Sequence, residues 1–151
     1  MAPNGKDDAG VAAWAALLRA HAAVVPRLAR AVAGAGLQIS WYDVLLVLNA
    51  APDRRLRMSD LGAAAVLSRE QISRVVTELE RAGLVARVAN PDDRRSSFAT
   101  ITEEGRARLR AAAPTYLSAI EEHFSRHLTA REIATVASAL EKVVAAEETG
   151  R

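Results

Sequence analysis

The clearest hydrophobic pattern in the chain runs from Met58 to Leu84, where apolar residues recur at helical spacing in two short segments. This spacing predicts two helices separated by a tight break at residues 66–67. Ser59 is placed to cap the first helix, whose apolar side consists of Leu61, Ala64 and Ala65. The pair has the form of a helix-turn-helix. On pattern alone, an amphipathic helical hairpin with a solvated outer face fits equally well.

The second helix of this pair has stronger signals at both ends. Ser68 is a candidate N-cap, Gln71 stands where it completes a capping box, and Gly83 is placed to end the helix in a left-handed conformation. One face carries the apolar stripe Ile72, Val75, Val76 and Leu79. The other face carries side chains that can reach base edges in a major groove. The candidate DNA contacts are Ser68, Arg69, Gln71, Ser73, Arg74 and Thr77.

A strand-like pattern follows this helix directly. Residues 84–88 and 98–101 read as two short strands, and residues 89–97 form a turn with two charges of each sign. A helix-turn-helix followed by such a hairpin predicts a winged helix-turn-helix. The wing can place arginine beside phosphates or in a narrow minor groove. Its candidate residues are Asp93, Arg94 and Arg95.

Four segments together resemble the MarR family of bacterial transcription regulators. They are WYDVLLVL (41–48), LRMSDLGAAAVLSREQISRVVTELERAGLVAR (56–87), PDDRRSSFATITEEGR (91–106) and LTARE (128–132), and their order and spacing match as well. The resemblance covers nearly the whole chain. It implies a DNA-binding regulator that is a repressor more often than an activator. It also implies that Asp93 holds the wing while the arginine of the Asp-x-Arg motif reaches DNA.

The remaining pattern predicts helices on both sides of this lobe. They cover about residues 11–35, 41–50 and 102–127, the second capped by Ser40, and a last helix opens with the capping box Thr129 and Glu132. Pro26 should bend or interrupt the first helix, and Pro114 should kink the third. Residues 54–57 form an extended piece that can pair with the wing. The predicted fold class is mainly α with a small β wing.

The helices at the chain ends carry more apolar surface than one small winged domain can cover. The last helix is predicted to bury Ile133, Val136, Ala137, Leu140, Val143 and Val144. The economical arrangement is a two-fold homodimer, and the resemblance implies the same. We therefore expect a disordered tail at 1–10, dimerisation helices at 11–38 and 103–151, and a winged lobe at 39–102. Two recognition helices roughly 34 Å apart would then read a pseudo-palindromic operator.

Composition adds a few exclusions. Half of the residues are apolar but only 4% are aromatic, so the core must be mostly Ala, Val and Leu on helices. The formal charge of +2 is too small to indicate DNA binding by itself. The chain has no cysteine, which excludes disulfides and thiol-based sensing. No apolar run of membrane-spanning length and no signal peptide is expected, so the predicted location is cytoplasmic.

Two further groups are weaker candidates for a site. The resemblance implies that some relatives bind aromatic acids between the dimer helices and the winged lobe, and Trp14, His21, Trp41 and Asp43 are candidates for lining such a crevice. Core packing is the favoured alternative, and Asp43 is placed to close a capping box with Ser40. His123 and His127 have a metal-binding spacing, but further ligands are lacking, so no metal or cofactor is expected.

Other function classes have less support. There is no Gly-rich phosphate loop, HExxH motif or nucleophile elbow, so the chain is not expected to be an enzyme. A winged-helix module that binds protein without ligand control remains the alternative. The arginines on the candidate interface, Arg69, Arg74, Arg94 and Arg95, argue against it.

Overall fold

A computed structural model describes the backbone of residues 5–150 and the side chains of residues 8–150. The helices are α1 (Gly5–Gly34), α2 (Ile39–Ala50), α3 (Met58–Ala64), α4 (Arg69–Arg81), α5 (Glu103–His123) and α6 (Ala130–Thr149). The strands are β1 (Arg55–Arg57), β2 (Val85–Ala89) and β3 (Ser97–Ile101), and short 3-10 turns cover Pro52–Arg54 and Ser125–His127. The predicted fold class, mainly α with a small wing, is confirmed.

These elements form two compact units. The winged unit is Ala29–Tyr116, and the terminal-helix unit combines the described residues up to Leu28 with those from Leu117 onward. The winged unit is larger than the predicted lobe at 39–102. The reason is that Val32 near the end of α1 and Leu109 and Ala112 in α5 belong to its buried core.

The core of the winged unit lies between its helices and one face of a three-stranded antiparallel sheet. The strand order is β1-β3-β2, with Leu56 opposite Ala99 and Val85 opposite Ile101. The predicted pairing of residues 54–57 with the wing is therefore confirmed for β1. The largest fully buried side chains are Leu45, Leu48, Leu61, Leu79, Val32, Val44, Val76 and Val85.

Helix α4 follows its sequence signals closely. Ser68 Oγ accepts a hydrogen bond from Gln71 N at 3.2 Å, and Gln71 Oε1 accepts one from Ser68 N at 2.9 Å. The predicted stripe of Ile72, Val75, Val76 and Leu79 is buried. Gly83 has a φ of 75°, and Leu84 N donates to Leu79 O, which is the bonding of a left-handed helix end. The capping box and the glycine stop are both confirmed.

Two other predicted caps are wrong. Helix α2 begins at Ile39, so Ser40 lies inside it, and its N-cap Gln38 makes no side-chain capping bond. The capping box between Ser40 and Asp43 is therefore absent. Helix α3 begins at Met58, so Ser59 is likewise helical and the N-cap is Arg57. In both helices the extended N-cap residue lies two positions before the serine, so the serine itself is already helical. Ala64, which was predicted to face the core, is exposed.

The break between α3 and α4 occurs where the sequence predicts it, but it is strained. Val66 has a φ of 55°, and its side chain is 90% exposed. A β-branched residue is disfavoured in the left-handed region because its Cβ approaches the following carbonyl oxygen. The next residue, Leu67, returns to the core side, and its amide donates to Gly62 O at 2.9 Å.

The terminal-helix unit departs further from prediction. Residues 5–10 are helical rather than a disordered tail, because the alanine-rich sequence that follows extends the helix toward the N-terminus; residues 1–4 lie outside the described part. Pro26 does not end α1, and Pro114 does not end α5. Helix α5 stops at His123, where the turn Ser125–His127 replaces its predicted last residues.

The apolar side chains of this unit are not buried within one chain. Helix α6 has no buried residue, so the predicted burial of its stripe is wrong for a single copy: Ile133 is 36% exposed and Val143 59%. On α1, Val11, Trp14 and Leu18 are exposed as well. The segment Asp8–Gly34 is also long and apolar enough to cross a membrane, whereas the sequence predicted no run of membrane-spanning length. A helix rich in Ala, Leu and Val meets that criterion whether lipid or protein covers it.

Candidate nucleic-acid interface

The polar face of α4 is open along its first two turns. Arg69, Gln71, Ser73 and Arg74 are all exposed. Neither arginine forms a salt bridge with a carboxylate of the described residues. Unpaired guanidinium groups keep all of their donors for phosphates or for guanine edges. This half of the helix has the chemistry predicted for it.

The capping box limits what two of the candidate residues can do. The Ser68 hydroxyl oxygen and the Gln71 side-chain oxygen each accept a backbone hydrogen bond. The Gln71 amide nitrogen keeps both of its hydrogens, which suit an acceptor such as a purine N7. Ser68 therefore orients the helix start, and the amide hydrogens are the part of the Gln71 side chain that the capping box leaves entirely free.

Thr77 is held differently from the other candidates on α4. Its hydroxyl donates to Ser73 O at 2.8 Å and accepts a hydrogen bond from Arg87 Nη2 at 2.9 Å. A hydroxyl has one hydrogen, so Thr77 has none left to donate to a base while these bonds persist. The sequence reasoning missed Arg87. An arginine at an exposed strand position gives no sign of its partner until the strand and helix are placed.

A second side chain holds α4 from α2. Trp41 Nε1 donates to Glu78 Oε2 at 3.0 Å, and the half-buried indole packs against the core. Trp41 was a candidate for an effector crevice. In the winged unit it connects α2 to the second half of α4, the candidate recognition helix.

The turn of the wing is built around one buried polar residue, Asn90. Its Nδ2 donates to Ser96 Oγ at 2.9 Å, and its Oδ1 accepts from Asp92 N at 3.0 Å. Asp93 Oδ1 accepts from Arg95 N at 2.9 Å, so this carboxylate shapes the turn. Arg94 and Arg95 are exposed and form no salt bridge with the described carboxylates.

One cleft joins the recognition helix to the wing. Its volume is about 420 Å³, and it contains three arginines, one from α4, one from β2 and one from the wing turn. It is lined by Met58, Ser59, Arg69, Ile72, Ser73, Arg87, Arg95, Ser96 and Ser97. Positive charge and hydroxyl groups from separate elements converge here, as binding of a phosphate backbone requires. The structure thus brings Arg69, Ser73 and Arg95 together.

The candidates for an effector crevice fall in different units. Trp14 is 61% exposed, and His21 lines a cavity of about 370 Å³ within the terminal-helix unit. The cavity is otherwise apolar, with Leu17, Ala20, Val24, Val25, Leu28, Ile120 and Phe124 as its other lining residues. In the winged unit, burial raises the pKa of the half-buried Asp43 carboxyl. Burial also raises the pKa of Tyr42 and of Tyr116, whose rings lie 4.4 Å apart.

The histidines on α5 and after it show no metal-binding arrangement. A ring nitrogen of His127 lies 3.1 Å from Glu122 O. Among residues 8–150, no three or more His, Cys, Asp or Glu side chains come close enough to hold an ion.

Comparison with known proteins points in one direction. Residues 35–96 match the family model described as MarR family. The transcriptional repressor YetL of Bacillus subtilis is 31% identical over 96 residues, which are 62% of this chain and 58% of YetL, less than two thirds of that relative.

Solved structures extend the match over almost the full length. Sco3205, a MarR family regulator from Streptomyces coelicolor solved in complex with DNA, is 31% identical, with a TM-score of 0.81 over 87% of this chain and 84% of that one. CouR from Rhodococcus jostii, solved with p-coumaroyl-CoA, is 26% identical, with a TM-score of 0.75 over 94% and 95% of the two chains.

Proposed function

The chain belongs to the MarR family of DNA-binding transcription regulators, and from this premise we propose that it acts as a homodimeric repressor of a pseudo-palindromic operator. The observation that carries the proposal is the cleft shared by Arg69 and Ser73 of α4 and Arg95 of the wing. Base-reading and phosphate-binding groups there belong to one continuous surface. The DNA complex of Sco3205 supports the same use of the fold.

The two kinds of DNA contact have separate residues. We assign base reading to Gln71, Ser73 and Arg74, which are exposed on the first half of α4. We assign phosphate or minor-groove binding to Arg94 and Arg95 in the wing turn. Arg69, which lines the same cleft from α4, is assigned to phosphate binding with them. Asp93 and Ser68 hold the backbone that presents these side chains.

The homodimer rests on the exposed apolar stripes of α1 and α6. A second copy that covers Leu140, Val143 and their neighbours would form an isologous interface, since the same face serves both chains. Two recognition helices would then address two half-sites one helical turn apart, roughly 34 Å. A dimer bound across a promoter would block transcription, which is the basis for proposing repression. The proposed location is the cytoplasm.

The test begins with selection of an operator from random duplex DNA by the full-length protein. Affinity of the selected duplex is then measured against salt for wild type and for Arg94→Ala and Arg95→Ala. Each variant should reduce the salt slope by about 0.9, because one fewer phosphate counterion is released. Gln71→Ala and Arg74→Ala should instead cost roughly 1–3 kcal/mol on the selected sequence and little on random DNA.

Arg131→Ala is the matched control, since this exposed arginine lies on α6. It should change neither the salt slope nor the sequence preference. The proposal fails if no sequence is enriched, or if the control loses as much affinity as the wing variants.

A small aromatic or apolar anion is the proposed inducer. The cavity lined by His21 is the proposed place of binding; Trp14 in the same unit, and Trp41 and Asp43 in the winged unit, are the other candidate residues. CouR, which was solved with p-coumaroyl-CoA, is a relative bound to an aromatic acyl thioester. The ligand must favour a dimer whose recognition helices are mis-spaced. A tenfold loss of DNA affinity needs about 1.4 kcal/mol of coupling.

The inducer is tested by titrating hydroxycinnamate and salicylate compounds, including their coenzyme A esters, while following tryptophan fluorescence and operator release. Substitution of Trp14 or Trp41 by Phe should reduce the fluorescence response. If no compound releases DNA, the proposal of ligand control is wrong and the repressor acts through its abundance.

A protein-binding module is the alternative function. A neutral or acidic interface would favour it, whereas Arg69, Arg74, Arg94 and Arg95 are all exposed without salt bridges to the described carboxylates. Relatives are regulators rather than enzymes, which fits the absence of catalytic motifs in the sequence.

A further inference from the structure

Arg87 differs from the other arginines of the candidate interface because its side chain is already bonded to the recognition helix. We propose that Arg87 is a positioning residue for DNA binding, which joins strand β2 to α4 and sets the spacing between the base-reading side chains and the wing arginines. This inference rests on the proposed function, because it names a determinant of the same interface.

Apart from its strand pairing, the polar contacts of Arg87 are all with side chains of α4. Its Nη2 donates to Thr77 Oγ1 at 2.9 Å, its backbone N donates to Glu80 Oε2 at 3.2 Å, and its Nε lies 3.7 Å from the same oxygen. Thr77 and Glu80 are three residues apart and so face the same side of the helix. In the sheet, Arg87 pairs with Ala99 of β3. One residue in the middle of β2 is therefore bonded both to the helix α4 and to the neighbouring strand β3.

Strand β2 buries little apolar surface of its own. Val85 is its single buried residue, and residues 86–89 are exposed. It is also an edge strand of the three-stranded sheet and pairs with β3 alone, and an edge strand with few apolar contacts opens more easily than a central one. Without the bonds from Arg87, the angle between the β2–β3 ribbon and α4 would depend on Val85, on the short connection at residues 82–84 and on β3, whose Ala99 and Ile101 are buried. Arg94 and Arg95 lie at the far end of this ribbon, where a small change of angle moves them most.

The bonding of Arg87 also distinguishes it from a phosphate ligand. Glu80 supplies a neighbouring negative charge, and Thr77 occupies a guanidinium hydrogen. The Thr77 hydroxyl donates a hydrogen bond to Ser73 O. A chain of hydrogen bonds therefore connects Arg87 in β2, through Thr77, to the backbone of α4 at Ser73. Arg94 and Arg95 have no such bonds from their side chains among the described residues.

Glu80→Ala separates the two roles by the sign of its effect. If Arg87 bound phosphate, removing Glu80 would free it and remove a repelling charge, so DNA affinity would rise. If Arg87 positions the wing, operator affinity should fall by about 3- to 10-fold, the value of about one net hydrogen bond. Binding to random DNA should stay equal or become tighter, and the salt slope should not change.

Glu80→Ala, Arg87→Ala and the double variant together form a double-mutant cycle. Arg87→Ala should cause a similar loss on the operator. The double variant should lose less than the sum of the two single losses, because both single variants remove the same ion pair between Arg87 and Glu80. Arg87→Lys should not restore affinity, since an ammonium cannot reach both partners with the planar geometry of a guanidinium. Glu141→Ala on α6 is the control for loss of one carboxylate. Additive losses, rescue by lysine, or a salt slope lowered by about 0.9 in Arg87→Ala would overturn the positioning role.

Hydrogen exchange provides a readout that does not require DNA. Amides of residues 85–101 should exchange faster in Glu80→Ala than in wild type, while amides of α2 should not. Unchanged exchange in the wing would contradict the proposal even if affinity fell. If the wild-type chain enriches no operator, the proposed function fails, and the exchange experiment still decides whether Arg87 holds the wing.

Discussion

The winged unit and the terminal-helix unit bury their apolar side chains to very different extents. In the winged unit Leu45, Leu48, Leu61 and Leu79 are completely buried. In the described part of the terminal-helix unit, the buried apolar residues are Leu28 and Ala119, and α6 has none. The first unit closes a core within one chain, whereas the second presents apolar stripes that its own chain leaves exposed.

Their hydrogen bonds differ in the same way. Side chains of the winged unit join segments far apart in sequence, as Trp41 does with Glu78 and Arg108 with Gly36 O. In the terminal-helix unit, the described side-chain bonds are local, such as the capping box of Thr129 and Glu132. The comparison teaches that long-range polar bonds are built into the unit that carries the proposed DNA contacts, and that the helices at the chain ends have mainly exposed apolar side chains to offer the proposed dimer interface.

The largest expected effect comes from placing charge on the α6 stripe. Leu140→Glu should convert the dimer to a monomer, because a carboxylate cannot be buried unpaired in an apolar interface. Operator affinity should fall by about 100-fold or more, since the second half-site then no longer benefits from its linkage to the first. Sedimentation velocity and operator titration measure the two effects.

Thr135→Glu is the matched control, because it adds the same charge to the polar side of α6. It should leave the dimer and its affinity intact. A wild-type chain that sediments as a monomer at micromolar concentration would contradict the proposed dimer.

Next in size is a cavity in the winged unit. Leu79→Ala should lower the free energy of unfolding by about 2–5 kcal/mol, because the fully buried side chain of α4 leaves space that its neighbours cannot fill. Urea denaturation measures this loss, and the protein should remain dimeric. Leu46→Ala, at a leucine that is 42% exposed, should cost much less. Equal losses at the two sites would show that this core is not closed.

A gain in stability is expected at the strained turn of the same unit. Val66→Gly should raise the free energy of unfolding by about 1 kcal/mol, since glycine tolerates a φ of 55° and the exposed valine loses no packing. Thermal unfolding measures the change. The same substitution at Val88, in the extended strand β2, should destabilise the protein; a loss at both positions would mean that Val66 is not strained.

The smallest expected effect concerns Asp43 and depends on pH. Burial raises the pKa of Asp43 in the folded state, so folding disfavours its charged form. Stability should therefore fall as the pH rises from the unfolded pKa through the folded one, and no effect remains below both. Asp43→Asn should raise the melting temperature at pH 7 and leave it unchanged near pH 3.

Glu141→Gln, at an exposed position on α6, serves as the control for Asp43→Asn and should give no such difference. A melting temperature that is lower in Asp43→Asn at pH 7 would show that the charged carboxylate is stabilised by the fold.

Local signals in the sequence predicted most of the winged unit. The capping box at Ser68, the apolar stripe of α4 and the left-handed Gly83 each depend on neighbours within a few residues. The starts of α2 and α3 were placed too late, because Ser40 and Ser59 are good caps that the observed helices do not use. Local preference is weak enough there for packing of the helix to override it.

Features that depend on distant contacts could not be read from the sequence. Arg87 meets Thr77 and Glu80 only after β2 folds back along α4. Val32 joins the core of the winged unit through contacts that no periodicity records. The apolar stripe of α6 predicted a buried surface, whereas no residue of α6 is buried in the structure, because the pattern does not say whether a covering surface comes from the same chain.

The order of the two units along the chain has a consequence for biosynthesis. The terminal-helix unit is discontinuous, and all of Ala29–Tyr116 is translated before Leu117 is added. At roughly 5–20 residues per second, residues 117–150 take about 2–7 s to add. The winged unit can fold near the ribosome during this interval, while the apolar side of α1 still lacks its companions. The nascent protein therefore acquires its DNA-reading surface before its two terminal segments can associate, and chaperones that bind apolar helices have this interval in which to act on α1.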